Sequence, residues 1–416
     1  MSKTLLFIGF VWPEPKSSAA GSRTIQLIEV FKNQGYQVTF ASTANPSPNT
    51  FDLKSIGVNT KNIKLNHASF DEFLKQHQPD IVIFDRFMIE EQYGWRVTQY
   101  CPNAIRILDT IDLHFLRKGR EAAHKNNIDF TKALLINDYT KREIASIYRC
   151  DLSLIISEFE MGLLKEKFNI NTSLIFYLPF LLSPISTDYI QQLPKFKARQ
   201  HLVTIGNFMH APNYESIVYL KHKIWPELKQ KLPEVELHIY GAYASEKVNN
   251  LHNKKDRFLL KGFTEDVNKV MMQARLCLAP LPFGAGLKGK LVDAMLNGTP
   301  MAMSSIAAEG MFDDKIPGFV ADTPEDFVNK VAELYQNEAL WNKKSEIGFD
   351  VISKRFDSKL FTDNFFQIIQ YLEESLEHHR QQNFIGQMLL HHTLKSTKYL
   401  SKWIEEKEKT KNFKVP

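Results

Sequence analysis

The chain has 416 residues, enough for two or three domains. Its hydrophobic fraction of 44% and charged fraction of 24% are those of a globular protein with a substantial core, and a net charge of +5 is too small for a dedicated nucleic-acid binder. Three cysteines, Cys101, Cys150 and Cys277, are too few and too widely spaced for a disulfide framework or a zinc site and fit a reducing compartment.

The chain opens on "TLLFIGF" (4–10), an apolar run too short to span a membrane and followed closely by Pro13, so it reads as a buried strand of a cytoplasmic protein. In "SRTIQLIEVFKNQG", Ile25, Ile28 and Phe31 recur at three-residue steps, with Leu27 four before Phe31. That is helical spacing, and Gly35 supplies the stop. "YQVTFAST" then completes a strand–helix–strand unit. Further strands are predicted at "DIVIFDR" (80–86), "AIRILDT" (104–110) and "DLSLIIS" (151–157).

A second series begins at "HLVTIGNF" (201–208). It continues through a helix around "YESIVYLKHKIWPELKQKL", strands "VELHIYG" and "FLLKGF", helix "DVNKVMMQA" and strands "LCLAPLP", "PMAMSS" and "GFVA". Helix "TPEDFVNKVAELYQN" carries Thr323 as cap, Pro324 in its first turn and Asp326 near the positive end of its dipole. Alternating strands and helices in both halves predict an α/β fold of two doubly wound, Rossmann-like domains facing a cleft. The expected division is 1–185, 186–356 and a helical, Lys-rich extension at 357–416, with the joint in the proline-bearing stretch 178–200. In that extension Leu394, Tyr399, Leu400 and Trp403 among lysines suggest a helix that is either solvated or laid on an anionic membrane surface; Glu405, Glu406 and Glu408 favour the first. The pairs His378 with His379 and His391 with His392 lack the carboxylate or thiol partners of a metal site.

The segment with the most chemistry is "PLPFGAGLKGKLVDAMLNGTP" (280–300). On a helical wheel Gly286, Gly289, Lys290, Asp293 and Asn297 share one face, while Leu291, Met295 and Leu296 fall toward another. Glycines at 284, 286 and 289 let a ligand approach the backbone, a helix start offers free N–H groups to an anion, and Lys288 and Lys290 add positive charge. A diphosphate fits this arrangement, with Asp293 placed to accept from sugar or ribose hydroxyls. A glycine-rich strand-to-helix turn with solvated lysines remains the alternative. Neither G-x-x-x-x-G-K-[ST] nor G-x-G-x-x-G is present.

"PFGAGLKGKLVDAMLNGTPMAMSSIAAEGM" resembles the donor-binding segment of GT-B glycosyltransferases of the large retaining group called glycosyltransferase family 4, in a branch with a GAG-x-KGK pattern. "IGNFMHAPNYESIVYLKHKIWPEL", "IYG" and "KGFTEDVNKVMMQARLCLAPL" resemble the same family in the expected order, covering most of 200–325. "PEPKSSAAGSRTIQLIEVFKNQGYQVT" and "LDTIDLHFLRKGREA" match more loosely.

The resemblance implies a nucleoside-diphosphate sugar as donor substrate, no separate cofactor, and a hydroxyl acceptor on a glycan, lipid-linked sugar or protein; no metal is expected, because the lysines would supply the positive charge and no D-x-D site is apparent. It places Gly206 and Asn207 beside the diphosphate, and Lys288 and Lys290 as its catalytic counter-charges. It puts Asp293 on the ribose, Glu309 near the donor pocket, Gly21 and Ala20 across the cleft, and His114, with Asp112 beside it, near the transferred sugar. Arg117, Lys118 and Arg120 lie where an anionic acceptor would dock, while Arg23 reads more simply as a structural contact. The family's two glutamates, eight positions apart, are here Ala285 and Asp293. A nucleotide-sugar epimerase of the same fold and an inactive binding partner stay open beside the transferase.

Overall fold

The computed structural model describes residues 3–412. Its first sheet has seven strands: β1 (Thr4–Gly9), β2 (Gln37–Ser42), β3 (Asn59–Asn62), β4 (Ile81–Asp85), β5 (Ile105–Asp109), β6 (Leu152–Ile155) and β7 (Ile175–Tyr177), in the order β3-β2-β1-β4-β5-β6-β7. The second has six: β8 (Gln200–Ile205), β9 (Leu237–Tyr240), β10 (Phe258–Gly262), β11 (Ala274–Ala279), β12 (Met301–Met303) and β13 (Gly318–Val320), in the order β10-β9-β8-β11-β12-β13. Every pairing is parallel. The central strands β4 and β5 are buried along their whole length, and β1 and β11 at all but one position each, as expected of sheets covered by helices on both faces. In such sheets the carboxyl ends of the strands form the ligand crevice, and the two sheets turn those ends toward one another.

One predicted helix is divided. Between Ala211–Tyr219 and Trp225–Lys231 the chain widens to a π-helical turn over Leu220–Ile224. Pro226 lacks an N–H and so weakens the regular ladder at that point.

The helices after 357 return to the first domain. On Lys359–Gln382, Phe365, Ile369 and Leu372 share a buried cluster with Leu5, Phe7, Phe31 and Leu152. Phe31 and Phe365 meet edge-on at 5.6 Å. The last helix, Phe384–Asn412, packs on the helices Phe87–Tyr100 and Asp138–Arg149. Its buried Glu405 accepts from Arg96 at 2.6 Å, while Tyr399, Leu400 and Trp403 face outward. The side chains of His392 and Leu394 lie outside the described residues. No helix among the described residues is long and apolar enough to cross a membrane. Cys101, Cys150 and Cys277 are buried and unpaired.

Candidate active site in the interdomain cleft

The segment 280–300 leaves β11, forms a loop and becomes the helix Gly289–Leu296. Leu291, Val292, Ala294 and Met295 bury its inner face, which turns Lys290 and Asp293 away from the core. Lys288 occupies the cap position but its side chain makes no capping bond, so the helix start is open.

Two glycines serve a different purpose from the one their spacing suggested. A Cβ on Gly286, whose φ is +63°, would fall 2.8 Å from Asp112 Cβ, and one on Gly289 would fall 2.6 Å from Ala19 Cβ. Both positions are filled by the first domain, so these glycines let the domains close together. Gly21 also turns elsewhere. Its N–H donates to Ser18 Oγ at 3.0 Å, and its Cα packs on the Glu14 backbone, leaving Ala19 as the residue that meets the Gly289 helix. Gly286 lies in the loop before the helix, and Asn297 is fully buried, bonded to Asn268, Tyr189 and the Asp293 carbonyl.

The two lysines part company. Lys288 is 8% exposed and its ammonium donates inward, to the carbonyls of Ala285 (3.2 Å) and Gly286 (2.5 Å). It organises its own loop rather than reaching outward. Burial pulls its pKa down to about 8, against the opposing pull of Glu309 and Glu160. Lys290 Nζ donates to Asn213 Oδ1 at 2.9 Å, and Asn213 Nδ2 donates to the Asn207 carbonyl at 3.0 Å. The Asn213 side chain also occupies the space a Cβ on Gly206 would need, 2.6 Å away. Asn213 therefore gathers Gly206, Asn207 and Lys290 at the carboxyl end of β8. Asp293 follows one turn after Lys290, and its carboxylate has no hydrogen-bond partner among the described residues. Burial pushes its pKa up to about 7, with Lys290 opposing, and draws that of Lys290 down to about 8.

His114 begins the helix His114–Asn126 on the opposite wall. Its Nδ1 faces the Asp112 carbonyl (3.1 Å), Asp112 Oδ1 (3.3 Å) and Glu143 Oε1 (3.5 Å). Acceptors on every side assign the proton to Nδ1. Burial works against charge on Asp112, but Arg117 and His114 hold its carboxyl well below the usual range.

The basic cluster is not open to an acceptor. Arg117 pairs with Asp112 at 2.6 Å and Lys118 with Glu121 at 2.8 Å, while Arg120 binds Glu309 through both of its terminal nitrogens. Glu309 thus spans the domains as an ion-pair partner. Arg23, 1% exposed, holds Asp109 and two backbone carbonyls and is structural.

Three residues escaped the sequence reading. Asn213 is one. Glu160, fully buried, is another: its Oε1 accepts from the N–H of Leu113 (3.0 Å) and of Gly286 (2.8 Å), joining the two walls. Burial, and then Asp112, raise its pKa to about 8. His210 occupies the cap position of Ala211–Tyr219 without a side-chain capping bond; lost solvation of its ring and the charges of Arg117, Arg86 and Lys290 lower its pKa, against Asp112. His210 and Asn213 lie in the segment "IGNFMHAPNYESIVYLKHKIWPEL" that carries the resemblance, though nothing in their spacing singles them out, and no motif marks Glu160. A group of potential metal ligands, His201, Glu236 and His238, lies at the amino ends of β8 and β9, the far edge from the cleft.

Residues 199–337, which hold Gly206, Asn207, Asn213, Lys290 and Asp293, match the family model described as glycosyl transferases group 1. No curated protein sequence matches the chain. Among solved structures it is similar to S. aureus TarM, with a TM-score of 0.67 and 11% identity over 88% of this chain and 98% of that one. It is also similar to a sucrose-phosphate synthase from Thermosynechococcus elongatus (TM-score 0.65, 16% identity, 89% and 99% covered). Anabaena HepE in complex with UDP and glucose gives a TM-score of 0.64 at 13% identity, with 89% and 100% covered.

The fold is GT-B. In GT-B terms, the group 1 match lies in the second domain, on the side of the cleft that holds Lys290 and Asp293.

Proposed function

We propose that the protein is a glycosyltransferase that moves a sugar from a nucleoside-diphosphate sugar to a hydroxyl, in the synthesis of a glycan or surface polysaccharide. The observation that carries this reading is the convergence of Lys290, the Gly206–Asn207 turn and the open start of Gly289–Leu296, with the unpartnered Asp293 carboxylate one turn further on.

Transfer requires the glycosidic bond to break toward an oxocarbenium-like state while the diphosphate gains negative charge. A fixed ammonium and backbone N–H groups at a helix start stabilise that charge most once it has developed, which lowers the barrier. This chain's own cation supplies the counter-charge, so no divalent ion is required in this scheme. Asp293 accepts from the ribose hydroxyls. Lys288, Glu160 and the Arg120–Glu309 pair hold the donor loop against the first domain, where closure excludes water. His114, with its Nδ1 held by Asp112 and Glu143, presents its ring beside the transferred sugar. Retention of the anomeric configuration follows from the family resemblance.

UDP is the first nucleotide to test, because HepE and the pneumococcal transferase GtfA were each crystallised with it. A thermal-shift screen of nucleoside-diphosphate sugars identifies the donor: a ligand at about 100 times its Kd adds roughly 2.7 kcal/mol of stability. Product analysis with and without acceptor then separates transfer from acceptor-free epimerisation. No thermal shift with any nucleotide sugar would refute the reading.

A further inference from the structure

On the first-domain wall, Arg86 is a part-buried cation whose side chain has no hydrogen-bonded partner among the described residues. Arg86 follows β4 at its carboxyl end, inside the cleft, and its backbone is held at φ 72° and ψ 158°, a region that residues with a Cβ rarely occupy. Its neighbours on that wall are bound: Arg23 to Asp109, Arg117 to Asp112, Lys118 to Glu121, Arg120 to Glu309 and Arg142 to Glu91. The Arg86 backbone N–H donates to the Asp109 carbonyl at 2.9 Å, but its side chain donates no hydrogen bond among the described residues. Its nearest carboxylate is Asp85, with Oδ1 at 3.5 Å from Nε, and its terminal nitrogens meet no acceptor. The guanidinium lies over the ring of Phe10 at 5.2 Å, and Phe10 and Val11 are both exposed.

Its position relates it to the reaction. The ring of Phe87, the next residue, meets the ring of His114 edge-on at 5.5 Å. Lys290 is assigned to the departing diphosphate, which leaves Arg86 for a different anion.

We propose that Arg86 is a specificity residue of the acceptor site, and that the acceptor carries an anionic group, a phosphate or a carboxylate, close to the hydroxyl that is glycosylated. The planar fork of the guanidinium suits two oxygens of such a group, and the Phe10 ring and Val11 offer an apolar floor for the adjoining sugar or aglycone. Asp85 sits at Nε and orients the fork while leaving the outer nitrogens open. The proposal rests on the transferase reading for its biological meaning, but its physical content is a binding preference.

The test uses the full chain saturated with UDP. Isothermal titration compares glucose 6-phosphate and glycerol 3-phosphate with glucose and glycerol, and glucuronate with glucose, so that phosphate and carboxylate are separate arms. At least one anionic member is expected to bind about 10- to 100-fold more tightly than its neutral counterpart. Arg86→Gln is expected to erase that preference, Arg86→Lys to restore part of it, and UDP affinity to stay within about twofold in both. Absence of an anionic preference in the wild type, its survival in Arg86→Gln, or a parallel loss of UDP binding would each overturn the assignment. If UDP itself does not bind, the donor reading fails, and the same titrations without UDP still decide the role of Arg86.

Discussion

Arg120 in the first domain and Glu309 in the second form a two-pronged ion pair, Nη1 to Oε1 and Nη2 to Oε2, both at 2.8 Å. A third bond runs from Arg120 Nη1 to the carbonyl of Gly284, in the donor loop itself. The pair is mostly buried, so removing one partner strands the other charge. Arg120→Ala is expected to cost about 2–3 kcal/mol in urea unfolding and to weaken UDP binding by loosening the loop. Arg120→Lys keeps the charge but loses the fork and should recover only part of either effect. Equal stability of all three proteins would show that the pair does not hold the domains.

Closure depends on the missing side chains at 286 and 289. Gly286→Ala forces a Cβ into Asp112 at a positive φ and is expected to destabilise by about 1–3 kcal/mol. Gly289→Val meets Ala19 instead and should spare the second domain's own packing while holding the cleft open. Small-angle scattering with and without UDP sugar checks this: the wild type contracts on binding and the variant does not.

The pH dependence of donor binding follows from Lys290 and Asp293. The diphosphate favours the charged ammonium, whose pKa is lowered to about 8, so affinity falls as pH rises through 8. The ribose hydroxyls favour an ionised Asp293, raised to about 7, so affinity also falls as pH drops through 7. UDP titrations from pH 6 to 9 should therefore trace a bell whose flanks belong to the pair. Lys290→Ala should remove the alkaline flank and Asp293→Asn the acid one, each weakening binding about tenfold or more near pH 7.5. A flat profile in the wild type would contradict both assignments.

Glu160 makes a separate claim about stability. Its folded pKa is raised from 4.5 to about 8, so between those values the folded protein holds a proton that the unfolded chain releases. This carboxyl therefore lowers stability as pH rises across that window and adds no further change above it. Glu160→Gln keeps the Oε1 acceptor for Leu113 and Gly286 and abolishes the titration. Urea unfolding from pH 5 to 9 should show the variant gaining on the wild type up to about pH 8, then running parallel.

Much of the fold was legible because its strands are apolar runs buried on both faces. β1, β4, β5, β8 and β11 were all marked by that signal. β3, an edge strand of the polar sequence NTKN, and β7, three residues long, gave no such run. The site was legible only where local pattern carries chemistry. Lys290 and Asp293 stand one turn apart on a helix face, and spacing alone reveals that. The inward turn of Lys288, the capture of Glu309 by Arg120 and the bridging role of Glu160 depend on contacts between residues more than a hundred positions apart, except for the first, which depends on the loop's own carbonyls. The glycines were visible, yet whether a ligand or the opposite domain fills the space beside them is a tertiary fact.

The most direct test of the central claim is a crystal structure of the protein with UDP bound. The account expects the diphosphate within hydrogen-bond reach of Lys290 Nζ and the N–H groups at the start of Gly289–Leu296, beside the Gly206–Asn207 turn, with the ribose hydroxyls on Asp293. A nucleotide lodged outside this cleft, or one in the cleft whose phosphates leave Lys290 bound to Asn213 and untouched, would contradict it.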